Sequence, residues 1–169
     1  MAYFEDLSEY TYDVEFARPG TKTVGWLGRG HSFPPSPPSD DILDLLWVLC
    51  STSVALQRGV HACEFCPSGS GYLSERNEKR LLLGAAEIRA FSEAGHIYAA
   101  PNLIYHYVLV HHYQPPDKFV EALRKGLRPP HREYFECLEK LGLRWNATSS
   151  GEGLRQPTRK RSRDGGGSG

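Results

Sequence analysis

The 169-residue chain has no net charge, with 20 Lys and Arg against 20 Asp and Glu. Its overall electrostatics therefore give no case for a polyanionic partner. No stretch approaches the ~18 consecutive apolar residues of a membrane helix, so no membrane partner is expected. The opening MAYFEDLSEYTYDVEF is acidic and aromatic. It lacks the basic and apolar regions of a secretory leader. The expectation is a cytoplasmic protein, where thiols stay reduced. Cysteine is scarce, four residues in all, which argues against a disulfide-stapled scaffold. No internal repeat is visible, and HExxH is missing, which removes the zincin metalloproteases. A zinc deaminase is also disfavoured. Cys63 stands where that signature needs Glu two residues after its His, and Pro67 follows the CxxC instead of preceding it.

What remains is the composition of a soluble domain, 40% hydrophobic and 24% charged, long enough to bury a core without staples. We expect one globular domain over residues 1–145. Residues 146–164 read as a disordered basic tail, in which Arg155, Arg159, Lys160, Arg161 and Arg163 face only Glu152 and Asp164. That tail makes a weak case for nucleic acid and leaves an unidentified protein partner open. The final GGGSG, residues 165–169, reads as an added linker.

Along the chain, residues 1–30 read as extended, with EYTYDVEF alternating polar and apolar and KTVGWLG a short β-rich run. HSFPPSPPSDD is a connector. DILDLLWVLCSTSVAL predicts a helix with Ile42, Leu45, Leu46 and Leu49 on one face and Cys50 buried. PSGSGYLSERNEKRLL reads as a long loop. LLGAAEIRAF and AGHIYAAP predict a hairpin turning at Ser92–Gly95. On that strand Glu87 and Arg89 share a face and favour an ion pair. NLIYHYVLVHHY predicts a helix with a strand as competitor. DKFVEALRKGL, with Phe119, Val120, Leu123 and Leu127, and HREYFECLEKLGL, with Tyr134, Phe135, Leu138, Leu141 and Cys137 inward, are amphipathic helices. The fold class is α+β, a small antiparallel sheet with three or four helices.

The chemistry is concentrated in RGVHACEFCP, residues 58–67. Cys63 and Cys66 have the spacing with which two thiolates on a tight turn reach one zinc ion. Two more ligands must come from elsewhere. His61, two residues before Cys63, shares its face on a strand. His106 and His111 lie about forty residues on, beyond the predicted hairpin. Knuckle, hairpin and ligand-bearing helix together outline a treble-clef-like zinc site. Cys63, Cys66 and His106 are the best-placed trio, with His111 or His61 as the fourth ligand. His106 and His111 stand about 140° apart on an ideal helix, so both can serve only where the helix loosens or ends. Buried thiols with no metal are the competing reading, and a thioredoxin-like redox pair lacks its βαβ context. Glu64 is the nearest candidate general base, and Glu87 or Asn102 could hold a histidine tautomer.

YFEDLSEY, VGWL, RGVHACEFCP, GAAEIR, YAAPNLIYHYVLVHHYQPP and FVEAL, taken together over residues 3 to about 127, resemble a family of small uncharacterised bacterial proteins, a domain of unknown function. That resemblance implies histidines at His61, His106 and His111, cysteines at Cys63 and Cys66, and no established activity. The resulting expectation is one zinc ion in a structural site of a bacterial cytoplasmic binding or regulatory module. A metal-dependent hydrolase or nuclease with an open zinc position is the second reading, and an immunity or defence interaction protein the third.

Overall fold

The computed structural model describes residues 2–67 and 73–147. Four helices pack with a five-stranded sheet and a separate hairpin. In chain order the elements are β1 (Thr21–Thr23), α1 (Asp40–Cys50), β2 (Thr52–Val54), β3 (Leu73–Arg76), β4 (Lys79–Leu82), β5 (Glu87–Phe91), β6 (Ile97–Pro101), α2 (Ile104–His111), α3 (Asp117–Lys125), α4 (Arg132–Lys140) and β7 (Trp145–Ala147). The main sheet runs β1-β6-β5-β2-β7. It is antiparallel except where β1 lies parallel to β6. The class is α+β, as the sequence predicts.

The expected β5–β6 hairpin forms, with Glu87 opposite Pro101 and Phe91 opposite Ile97. It is the centre of the fold. Its alternating side chains fall on two faces. Ile88 and Ala90 join the main core with Leu46 of α1, Ile104 of α2 and Phe119 of α3. Arg89 lies opposite Ala99, which belongs to a smaller apolar cluster with Tyr10 and Trp26. The end of α3 meets the sheet by main chain. Phe91 and Leu127 form an isolated bridge, and a Cβ on Gly126 would overlap the Phe91 carbonyl.

Several boundaries differ from the sequence reading, each for a local reason. The extended strand expected across EYTYDVEF is broken by a turn. The Asp13 carboxylate accepts the Glu15 amide at 3.0 Å, and the Phe16 amide donates to the Asp13 carbonyl. Only Glu9 keeps a bridge, to Lys22 of β1. The first helix stops at Cys50 instead of continuing to Leu56. Ser51 Oγ donates to the Trp47 carbonyl and Ser53 Oγ to the Cys50 carbonyl, so hydroxyls take over the last helical acceptors. β-branched Thr52 and Val54 then enter the sheet. The segment read as a loop contains the β3–β4 hairpin, turning at Asn77 and Glu78, both with positive φ. That is the backbone a two-residue hairpin turn requires. Leu127 lies beyond α3 and is 38% exposed, and Cys137 is half-buried rather than deep in the core. Strand β7 was not expected. It takes in Asn146 and Ala147, and the rest of the tail lies outside the described residues.

Glu87 and Arg89 form the expected ion pair, 2.7 Å between oxygen and guanidinium, with side chains only 2% and 1% exposed. The Tyr10 hydroxyl donates to both Glu87 oxygens, and the Arg89 guanidinium lies over the Tyr10 ring. Burial pushes the Glu87 carboxyl up, and Arg89 and Tyr10 pull against that shift. Removing one partner strands a charge in low dielectric. Arg89→Met is expected to lower stability by about 3–5 kcal/mol in urea unfolding. Adding Glu87→Met to that variant should recover much of the loss; an additive second loss would show that the pair is not coupled.

Candidate metal centre

The knuckle is built first by its own backbone. Residues 64–66 turn tightly, and the amides of Phe65 and Cys66 point at the Cys63 sulfur. A sulfur facing amide donors is prepared for negative charge. The turn is held from outside by Arg29, whose amide donates to the Glu64 carboxylate at 2.9 Å and whose Nε donates to the Glu64 carbonyl at 3.1 Å. That contact holds the Glu64 carboxyl below its ordinary range. Glu64 is therefore a strut of the knuckle, and its carboxylate is turned to the Arg29 backbone.

Helix α2 supplies the other half. It ends at His111, because His112 adopts left-handed backbone at φ 57° and its amide bonds to the Tyr107 carbonyl. That bond reaches back five residues, a π-type widening of the final turn. The Tyr113 amide converges on the same carbonyl. Widening reduces the angular gap between residues five apart, and this is the loosening that His106 and His111 need to face one point. Their Nε2 atoms are 3.2 Å apart.

The four donor atoms of Cys63, Cys66, His106 and His111 all lie within 4.8 Å of one another. Cys63 Sγ is 3.2 Å from His111 Nε2, and Cys66 Sγ is 3.3 Å from His106 Nε2 and 3.2 Å from His111 Nε2. Tetrahedral zinc with ordinary bond lengths would separate S and N by about 3.5 Å and the two N by about 3.3 Å. Hydrogen bonding cannot account for the cluster. His111 Nε2 is approached by two sulfurs and a second imidazole nitrogen, yet it owns a single in-plane lone pair or proton. One cation at the centre satisfies all four donors. The arrangement is geometrically suited to hold a metal ion.

Electrostatics suit both histidines to hold a cation. Burial and the neighbouring His111 push the His106 imidazole down to about 4, and burial followed by His112 lowers His111. Both rings are neutral near pH 7, the ligating form. Burial raises the Cys63 thiol, against the pull of the knuckle amides. A bound cation reverses this, since coordination deprotonates a thiol.

His61 is not brought into the quartet. Its amide donates to the Gly84 carbonyl at 2.8 Å, and its side chain borders a small crevice with Tyr12, Trp26, Gln57 and Glu87. Gly84 has φ 84°, and a Cβ there would overlap the His61 carbonyl, so a glycine is needed to seat this segment. Neither residue suggested as a tautomer-setting acceptor serves in that way. Glu87 is committed to Arg89 and Tyr10. Asn102 accepts from the Gly84 amide through Oδ1 and donates to the Leu82 carbonyl through Nδ2, lashing the approach to β5 onto the start of α2.

Phe65, inside the CxxC turn, was not singled out by its sequence. Its ring meets Phe33, Tyr107 and His111 at centroid distances of 5.6, 5.9 and 5.4 Å. Phe33 belongs to the proline-rich connector, which is pinned by the Ser36 amide to the His112 carbonyl and by the Gln114 amide to the Pro34 carbonyl. The connector is thus a strap across the histidine end of α2.

With the site in view, comparison with known families gives a match over residues 2–124, to the family described as Domain of unknown function (DUF7919). The chain belongs to that family. The matched segment contains all four clustered donors, the strap and the β5–β6 hairpin. No curated protein and no solved structure matches the chain. Among the described residues, no helix is long and apolar enough to cross a membrane.

The quartet predicts distinct outcomes for the two kinds of histidine. Titrated with Co²⁺ and followed by its visible absorption, the His61→Ala protein should keep one tetrahedral site. His111→Ala should lose tetrahedral absorption or bind at least ~10-fold more weakly. Equal losses in both would place His61 in the coordination sphere.

Proposed function

We propose that this chain is a zinc-binding protein of bacterial cytoplasm, in which one ion held by Cys63, Cys66, His106 and His111 is the structural centre of a binding or regulatory module. The observation that carries this reading is the convergence of four donors from two separate segments. Two thiolates and two imidazoles suit zinc and are poor ligands for magnesium or calcium. Four protein ligands complete a tetrahedron, which is the pattern of structural zinc sites. A hydrolase or nuclease would keep a position for water. That second reading has less support here, because His61 stands outside the quartet and Glu64 is held by Arg29.

The ion would supply a cross-link. It would tie residues 63–66 to the last turn of α2 and, through Phe65 and Phe33, to the strap. Cys63 and Cys66 would bind as thiolates, with the amides of Phe65 and Cys66 sharing the charge on Cys63. His106 and His111 would bind neutral through Nε2.

Elemental analysis of freshly purified protein, prepared without chelators, should give about one equivalent of zinc. Removing it should lower the melting temperature by about 10 °C or more, since structural zinc contributes several kcal/mol to folding and ~1 kcal/mol shifts a domain of this size by roughly 2–4 °C. An unchanged melting curve after complete metal removal would overturn the structural role. Both thiols must lose protons to bind. Apparent affinity should therefore fall as pH drops below the thiol range, by up to about 100-fold per pH unit. A pH-independent affinity between pH 6 and 7 would exclude thiolate ligation.

A further inference from the structure

We infer that the metal centre is a peroxide-responsive switch, in which Cys63 and Cys66 are oxidised to a disulfide and the ion is released. This rests on the zinc reading above and extends it to the regulation of the same site. The four cysteines are not equivalent. Cys50 is buried at the end of α1, with its thiol toward the Asn102 carbonyl and sheltered from solvent. Cys137 is half-buried on α4, and no other cysteine belongs to its helix. Cys63 and Cys66 pair a half-buried sulfur with a second sulfur in the same donor cluster. Cys66 is half-buried, Cys63 is 4% exposed, and their donor atoms lie within the 4.8 Å cluster.

The chemistry balances with hydrogen peroxide as oxidant. The Cys66 thiolate attacks the peroxide, the O–O bond breaks, and a sulfenic acid forms as the first hydroxide leaves. The Cys63 thiolate then attacks Cys66 Sγ, forming the S–S bond and expelling the second hydroxide. Two thiolates lose two electrons in all, and one peroxide is reduced to two hydroxides, which take up protons as water. The ion keeps two imidazoles of its four ligands, which is too few to retain it. Placement of the sulfurs sets the order of events. The less buried member is attacked first, and the sheltered member resolves the sulfenic acid before a second peroxide arrives.

The structural response follows from what the quartet holds. Cys63 and Cys66 remain joined to each other, so the turn around Phe65 persists. The link to His106 and His111 is lost, and with it the tie between knuckle and α2. Phe65 is then left to ring contacts with Phe33, Tyr107 and His111, while the strap keeps its main-chain hydrogen bonds to residues 112 and 114.

The test uses full-length zinc-loaded protein with about one to five equivalents of hydrogen peroxide. Released metal is read by a chromogenic chelator, and peptides are read by mass spectrometry. We expect one zinc released per disulfide formed, a loss of about 2 Da on the peptide holding Cys63 and Cys66, and rebinding of zinc after reduction by a thiol. Cys137→Ser, which is outside the site, should release zinc at the same rate. Zinc retained while Cys137 is oxidised overturns the inference, as does release with sulfinic acid at Cys66 and no disulfide. A protein that carries no metal before treatment overturns the zinc reading and this inference with it. A zinc-bearing protein that resists peroxide overturns this inference alone.

Discussion

The structure depends on one meeting point. Residues 63–66 and the final turn of α2 present four donor atoms to a common centre within 4.8 Å. Sulfur and imidazole lone pairs aimed at one another are repulsive or unsatisfied until a cation stands between them. The surroundings are arranged around that need. Arg29 braces the knuckle, the His112 backbone opens the last helical turn, and Asn102 fixes the start of the same helix against the chain leading to β5. Each element has another packing role, but together they set the geometry of the quartet.

The hydrophobic fold supplies the frame. The β5–β6 hairpin is buried on both faces, with Ile88 and Ala90 in the main core and Ala99 in the smaller cluster with Tyr10 and Trp26. A framework of that kind positions α2 without the ion. The knuckle has less to hold it, namely Phe65 against three rings and a few hydrogen bonds to Arg29 and Gly84. A cation bound at the four donors would therefore add a tie where the knuckle has few others.

Much of this was legible in the sequence. CxxC spacing marked Cys63 and Cys66, two runs joined by a turn at Ser92–Gly95 marked β5 and β6, and helical spacing marked α3 and α4. The choice between His61 and His111 was not legible, because it turns on a widened final helical turn that no residue pattern announces. Asn102 illustrates a second limit. A polar residue at a helix start suggests a local partner, yet its amide bonds reach 18 and 20 residues away. The strap was read as a plain connector, since prolines report that a helix is excluded and say nothing of what the chain packs upon. The β3–β4 hairpin was hidden because its turn uses Asn77 and Glu78, in place of the Asn-Gly pair that would signal it.

The Glu87–Arg89 pair also constrains which folds are accessible to the chain. Both charges sit on one face of β5, matched by Tyr10. A slip of one residue along β6 would turn them toward Leu46 and Phe119, where no polar partner waits, and bring Ile88 and Ala90 to the Tyr10 hydroxyl. The apolar residues alone would tolerate that slip, since β5 is buried at every position. The two charges do not, and so they act as a proofreading device against the shifted competitor.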